Sequence, residues 1–262
     1  MEDTEYKTDK FQLSIGQSFL ILGVLFAITI AISLLQLKLL PLATKATSWV
    51  LLLCYILQFG LTILVVFKIF NLKNFSTNYV KLNIFILSLF LIAALGLISE
   101  SISSLIPMPD IVAEIFKDAI QMNFAGFLTV AIAAPILEEL LFRGIILRGL
   151  LQHYTPSKAI VWSAIIFGIA HLNPWQFIAA FIVGCAIGWL YWKTNSIWIG
   201  IFMHFVNNST SFLIAYFTGD VNTSIIDYFG ETINQVIVLF CCVLITFLAI
   251  YAMKKWCFNK EC

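Results

Sequence analysis

Two adjacent glutamates stand in the middle of an apolar stretch of the chain. Glu138 and Glu139 lie within AIAAPILEELLFRGIIL, whereas the segment between Asp9 and Glu100 contains no acidic residue. A carboxylate at the centre of a membrane helix costs roughly 3 kcal/mol on insertion scales, so such a residue is functional by default. These two side chains are therefore the first candidates for chemistry.

The two glutamates are expected to have separate roles. Neighbouring helical residues point about 100° apart, so we expect Glu138 and Glu139 to share neither a role nor a partner. Glu139 lies four residues before Arg143, a spacing that favours an ion pair on one helix face. Such a pair is mainly structural, because it allows two charges to lie in lipid. Glu138 is then free to line a cavity.

Histidine and asparagine side chains follow on later apolar segments. His171 ends the run SAIIFGIAH, and an antiparallel hairpin turning near Tyr154 would bring it to the level of Glu138. His204 and Asn208 are four residues apart and share one helix face. Viewed alone, a histidine in the position of His171 is more often a structural hydrogen-bonding residue than a catalyst, and His204 with Asn208 is equally well explained as a structural hydrogen-bonding pair.

Taken together, these residues match the needs of amide hydrolysis by water. That reaction needs a general base, a proton donor for the leaving amine, and hydrogen-bond donors for the oxyanion. Burial makes a carboxylate more basic, so Glu138 is the predicted base that activates water. The predicted partners that orient water and substrate and stabilise the oxyanion are His171, His204 and Asn208.

The composition predicts that a lipid bilayer surrounds these residues. The 262 residues are 61% hydrophobic and 11% charged, with a net charge of +1, whereas a soluble chain is about half apolar and a quarter charged. The near-neutral charge excludes nucleic-acid binding. The six cysteines show no paired spacing, so neither a disulfide framework nor a thiolate metal site is expected.

An all-α, polytopic membrane helix bundle is therefore the predicted fold. A crossing helix needs about 20 mainly apolar residues, and about eight segments qualify: 15–35, 49–70, 82–102, 124–151, 159–172, 175–192, 197–217 and 233–253. The fifth segment is short and almost directly joined to the sixth by Asn173-Pro174. We expect that hairpin to turn inside the membrane, buried by its neighbours.

The distribution of basic residues predicts the orientation. Both termini are expected to be cytoplasmic, in a multi-pass protein of the cell membrane. The cytoplasmic side would then hold Lys7, Lys10, Lys68, Lys73, Lys81, Arg143, Arg148, Lys158, Lys193, Lys254, Lys255 and Lys260, and the outer side Lys38, Lys45 and Lys117.

A polar stretch at residues 107–118, with Asp110, Glu114 and Asp118, suggests a division of the chain. Residues 1–118 would form a three-helix membrane part, 119–220 the catalytic core, and 221–262 a final helix and tail. Nearly all the intramembrane polar residues belong to the second part.

Three short motifs resemble the CAAX-protease and bacteriocin-processing (CPBP, or Abi) family of intramembrane proteases. EExxxR corresponds to 138–143, with Glu138, Glu139 and Arg143; FxxxH to Phe167 and His171; and HxxxN to His204 and Asn208. Three such motifs in order on successive segments are fairly specific. The resemblance covers about residues 124–217.

The resemblance implies a bundle of about eight helices with a conical cavity around the catalytic glutamate. Glu138 would take that position, with His171, His204 and Asn208 around it and Glu139 and Arg143 in support. Eukaryotic relatives remove the last three residues of prenylated CAAX proteins, and bacterial relatives are linked to peptide maturation, immunity or sorting. A peptide or protein substrate, membrane-anchored or prenylated in some cases, is the implied partner.

Three alternatives to a metal-free protease stay open from the sequence. A metal enzyme is less favoured, because HExxH is missing and two histidines with Glu138 would have to meet from three helices. Intramembrane titratable residues also line proton-coupled transporters, although no inverted repeat is visible. A non-catalytic immunity or peptide-binding protein could use the same pocket.

Overall fold

The computed structural model describes most of the chain: residues 11–39, 47–109, 111–112, 121–219, 226 and 229–258. Several residues considered above lie outside this part. They are the basic residues Lys7, Lys10, Lys45, Lys117 and Lys260 and the acidic residues Asp110, Glu114 and Asp118.

Eight long helices make up the described part of the chain. They are α1 (Ile15–Leu39), α2 (Thr47–Phe70), α3 (Leu82–Ser103), α4 (124–151), α5 (Pro156–Ala170), α6 (Pro174–Thr194), α7 (Ile197–Thr218) and α8 (Thr232–Ala252). Six of them, α1 to α3 and α6 to α8, are uninterrupted α-helices long and apolar enough to cross a membrane. The prediction of an all-α, polytopic membrane helix bundle is confirmed.

Helix α5 is shorter than a membrane crossing. Its 15 residues extend over about 22 Å, compared with roughly 30 Å for the hydrocarbon core. It ends at Ala170, two residues before the predicted end, because Leu172 adopts a left-handed backbone with φ 57°. Asn173 then caps α6 by accepting a hydrogen bond from the Gln176 N–H. The two helices are thus joined by a sharp turn directly after the candidate residue His171.

Helix α4 is continuous but irregular, which the sequence pattern did not predict. Its α-helical parts are Phe124–Phe127, Ala134–Leu141 and Arg148–Leu151, and its π-helical parts are Leu128–Ala133 and Phe142–Leu147. The Ala134 N–H bonds to the Thr129 carbonyl five residues back. The next donor in this series would be residue 135, but Pro135 has no N–H, so the π-helical part ends there. Both glutamates lie on the regular segment between the two π-helical parts.

Some helices pack against their neighbours in sequence, and others pack against helices that are distant in sequence. Helix α5 lies along α6, α1 along α2, and α8 against α3, while α4 contacts α2 and α7. One apolar core joins α1, α2, α4 and α5 with part of α6, and a second joins α3, α6, α7 and α8. Polar side chains of α4 that face between these cores are consequently removed from lipid and from water.

Three connections that carry basic residues lie at one end of the bundle. They are the connections between α2 and α3, between α4 and α5, and between α6 and α7. Ser76 Oγ, between α2 and α3, donates to the Asn195 carbonyl between α6 and α7, over 2.7 Å. Arg148, near the end of α4, donates to the Asn74 carbonyl over 2.6 Å. The predicted grouping of these connections on one side therefore agrees with the packing. Arg143 is a correction to that grouping, because it lies in the core at 1% exposure.

Candidate active site

A buried ion pair between Glu139 and Arg143 lies at the centre of the bundle. Arg143 Nη1 donates to Glu139 Oε1 over 2.8 Å, and the two side chains are 1% and 0% exposed. Arg143 Nη2 donates to the carbonyl of Gly184 on α6 over 3.2 Å. The ion pair predicted from the four-residue spacing is thus present. It ties α4 to α6 and compensates the Glu139 charge.

His204 on α7 lies between the two glutamates. Its Nδ1 is 3.0 Å from Glu139 Oε1, and its Nε2 is 3.8 Å from Glu138 Oε2. The expectation that the glutamates share no partner is therefore wrong. An imidazole carries nitrogens on two edges, so two carboxylates that point apart on α4 can reach the same ring from different directions.

The contact with Glu139 fixes the state of the His204 ring. A carboxylate accepts hydrogen bonds, so Nδ1 must carry the hydrogen that is donated to Glu139. In the neutral ring, Nε2 is then an unprotonated acceptor directed towards Glu138. Glu139 is consequently more than an ion-pair partner of Arg143, because it also sets which nitrogen of His204 faces the other carboxylate.

Tyr55 on α2 is a contact that the sequence reasoning missed. Its hydroxyl donates a hydrogen bond to Glu138 Oε1, and its ring stacks on Phe59 with centroids 5.0 Å apart. The signal was present in the sequence, because this hydroxyl interrupts the apolar run LLLCYILQFG. Glu138 is 12% exposed, and its Oε2 is buried without a hydrogen-bond partner among the described residues.

The Phe167 ring on α5 packs against several members of the site. Its centroid lies 4.6 Å from the Arg143 guanidinium carbon, 5.7 Å from the His204 ring and 5.1 Å from the His171 ring. The contact with Arg143 is a cation–π interaction, which is strongest where water is excluded. Phe167 therefore fills the space between the two histidines.

His171 is near the site but does not touch Glu138. Its Nδ1 is 3.0 Å from the Phe167 carbonyl one turn back on its own helix. Within the described part of the chain, no hydrogen bond or ion pair joins His171 to Glu138. The predicted meeting of these two groups is thus not direct, because the aromatic ring of Phe167 stands beside His171 on the side of His204.

Asn208 supports the irregular part of α4. Its Nδ2 donates to the Val130 carbonyl over 2.9 Å, and its Oδ1 accepts from Asn207 Nδ2 at 3.2 Å. In the π-helical pattern the Val130 carbonyl would receive the N–H of residue 135, which Pro135 lacks. An unsatisfied buried carbonyl is costly, so Asn208 supplies the hydrogen bond that the proline cannot.

Gly200 allows α7 to approach the glutamates. A Cβ at this position would lie 2.7 Å from Glu139 Oε2, which is too close for any side chain. That carboxylate oxygen has no hydrogen-bond partner among the described residues. The absence of a side chain at Gly200 thus sets the separation at which His204 reaches both carboxylates.

An apolar cavity of about 440 Å³ lies along α4 and α7, and none of its lining residues belongs to the Glu–His–Arg centre. Its lining contains only apolar residues from α3, α4 and α7, including Ile132, Pro135 and Phe205. Pro135 lies three residues before Glu138, so the cavity and the glutamate are neighbours along α4. The residues described here contain no group of three or more His, Cys, Asp or Glu side chains placed to hold a metal ion.

The fold and this buried centre together define a multi-pass membrane protein with a Glu–His–Arg site between its helices. Comparison with known proteins finds similarity over the segment that holds most of that site. Residues 120–210 match the family model described as Type II CAAX prenyl endopeptidase Rce1-like. A protein of Bacillus subtilis (strain 168) named "Putative membrane peptidase YdiL" is 34% identical over 92 residues, which are 35% of this chain and 38% of that protein.

Residues 120–210 are therefore similar to the CAAX prenyl endopeptidase family, as the motif resemblance predicts. This segment contains all three motifs, from Glu138 to Asn208, whereas Tyr55 lies outside it. The match spans well under half the length of the curated relative. No solved structure matches the chain.

Proposed function

We propose that this protein is an intramembrane endopeptidase that hydrolyses a peptide bond with water activated by Glu138. The observation that carries the proposal is the arrangement of Glu138 Oε2 and His204 Nε2, which face each other across 3.8 Å. The similarity of residues 120–210 to the CAAX prenyl endopeptidase family supports the same reaction class.

Two facing acceptors favour a water molecule between them. A carboxylate oxygen and an unprotonated ring nitrogen repel each other unless a hydrogen lies between them, and 3.8 Å exceeds hydrogen-bond length. A water that donates one O–H to each atom satisfies both. Its oxygen lone pairs are then directed away from the two acceptors, towards a substrate carbonyl.

The proposed reaction has two proton transfers. The water oxygen adds to the carbonyl carbon while Glu138 takes one of its protons. The C–N bond then breaks, and the same proton passes to the amine nitrogen, so that Glu138 returns to its carboxylate form. His204, oriented by Glu139, holds the water in place and stabilises the tetrahedral intermediate.

His171 and Asn208 are proposed to serve the oxyanion. The Nδ1 of His171 donates to the Phe167 carbonyl, so Nε2 would serve the oxyanion as the second N–H of the imidazolium form of the ring. The Asn208 amide carries two N–H groups, of which one is used by Val130. The second N–H is the group that would contact the oxyanion, as donors in other hydrolytic sites do.

The proposed substrate is a peptide or protein that reaches the site from the bilayer. The cavity of about 440 Å³ beside Pro135 is wholly apolar, which suits an apolar side chain or the prenyl group of an anchored substrate. We propose that no metal takes part and that the protein lies in the cell membrane. Both termini would be cytoplasmic, as the basic connections at one end of the bundle favour.

The test of this function is the appearance of new peptide termini. The purified protein in detergent is incubated with a peptide library that includes farnesylated CAAX peptides, with and without a chelator. We expect cleavage at defined bonds that continues at the same rate when chelator is present. Cleavage that stops on chelation would contradict the metal-free mechanism, and proton flux into proteoliposomes without any cleavage would favour a transporter.

Replacing Asn208 separates its two proposed contributions. Asn208→Ala leaves the Val130 carbonyl unsatisfied, which is expected to cost about 1–3 kcal/mol of stability. Adding Pro135→Ala returns a backbone N–H, so the double variant should regain thermal stability. Its cleavage rate should stay low, because the proposed oxyanion donor is still missing. If the double variant regains both stability and activity, Asn208 supports only the helix.

A further inference from the structure

The hydroxyl of Tyr55 enters the site from a helix that lies outside the matched family segment. Helix α2 ends at Phe70, whereas the family match begins at residue 120. The hydroxyl nevertheless donates directly to Glu138 Oε1. This is the single hydrogen bond that Glu138 makes with another side chain of the described residues, so the position of its carboxylate depends on α2.

The hydrogen bond makes the two oxygens of Glu138 different. Oε1 is occupied by Tyr55, while Oε2 has no hydrogen-bond partner in the described part and faces His204. A carboxylate without a directional contact can rotate about its last torsion, which is broad and roughly two-fold. The Tyr55 hydroxyl restricts that rotation and keeps one oxygen directed towards the imidazole.

Among the described residues, no side chain other than Tyr55 hydrogen-bonds to Glu138. The charged and titratable groups near Glu138 are Glu139 and Arg143 on α4 and His204 on α7. Arg143 is directed to Glu139 and the Gly184 carbonyl, and His204 approaches the other oxygen of Glu138. Packing holds the phenol itself, because its ring is stacked on Phe59.

We propose that Tyr55 is a positioning residue for the peptidase reaction, which fixes Glu138 so that Oε2 receives the proton of the water. This inference rests on the proposed function. It adds α2 to the parts of the chain on which catalysis depends, and it assigns a role to a side chain outside the three motifs.

The test is Tyr55→Phe, which removes the hydroxyl and keeps the ring. We expect kcat per folded molecule to fall by about 10- to 100-fold, as for loss of a hydrogen bond to a charged group, while KM stays close to that of the wild type. The melting temperature should fall modestly, because Oε1 of Glu138 loses its hydrogen bond. The matched control is Tyr216→Phe, which removes the same atom from an exposed tyrosine on α7. That control should leave kcat unchanged.

A second measurement does not require activity. The infrared carboxylate band of Glu138 is identified as the band that Glu138→Gln removes, and it should shift in Tyr55→Phe but not in Tyr216→Phe. An unshifted band overturns the inference even if no peptide is cleaved. Full kcat in Tyr55→Phe, with a wild type that cleaves and a Glu138→Gln variant that does not, overturns the inference and leaves the proposed function intact.

Discussion

Replacing Glu138 with glutamine is expected to abolish peptide cleavage while the protein stays folded. The amide cannot take a proton from water, and general-base catalysis contributes roughly 100- to 10,000-fold to such reactions. The amide oxygen still accepts the Tyr55 hydrogen bond, and the change removes a buried charge, so little stability is lost. Initial cleavage rates and melting temperature in the same detergent check both expectations.

A matched variant shows whether the loss is specific to the site. Glu231→Gln makes the same chemical change at an exposed position before α8, and it should keep the wild-type rate. Equal loss in both variants would mean that the assay responds to general damage. A Glu138→Gln protein that unfolds would require reassignment of Glu138 as a structural residue.

Arg143→Ala is expected to have the largest effect on stability. It leaves Glu139 buried at 0% exposure without its ion-pair partner, and breaking a buried pair costs about 3–5 kcal/mol. It also removes the cation that packs on Phe167 and the bond to the Gly184 carbonyl. Both the folded fraction and the cleavage rate should fall, which thermal unfolding and rate per folded molecule can separate.

A double variant without either charge separates the effect on stability from the effect on activity. Glu139→Gln combined with Arg143→Met removes both charges together, so much of the stability should return. Activity should not return, because a neutral amide no longer fixes the hydrogen on His204 Nδ1 as a carboxylate does. Lys158→Ala removes an exposed cation from α5 together with its cation–π contact to Tyr154, and it should cost no more than about 1 kcal/mol. Recovery of full activity in the double variant would contradict the orienting role of Glu139.

The parts of the fold that follow local rules were predictable from the sequence. The apolar runs gave the eight helices because crossing the bilayer sets a minimum length of apolar residues. The Glu139–Arg143 pair followed from its spacing, since residues four apart share a helix face. His204 and Asn208 share a face of α7 for the same reason.

The remaining features depend on tertiary contacts that spacing does not encode. The placement of His204 between both glutamates requires the close approach of α7 at Gly200, and the Tyr55 contact requires α2 to pack against α4. The first π-helical part of α4, Leu128–Ala133, could have been predicted from Pro135, because a proline leaves a backbone carbonyl without its N–H donor. The hydrogen bond that Asn208 donates to this carbonyl comes from another helix, so it could not be predicted from the sequence.

The division of the chain into three parts stays a prediction. Helix α2 belongs to the predicted N-terminal part, yet its Tyr55 reaches the proposed catalytic glutamate. The site therefore draws on helices from both sides of the predicted boundary at residues 118–119.

The most direct test of the central claim is cleavage of one identified peptide by the wild type and by Glu138→Gln, each reconstituted in liposomes and followed by mass spectrometry of the new termini. We predict that the wild type releases both products at a rate unaffected by chelator, and that Glu138→Gln releases neither. Release of the same products by Glu138→Gln at the wild-type rate would contradict the assignment of Glu138 as the base.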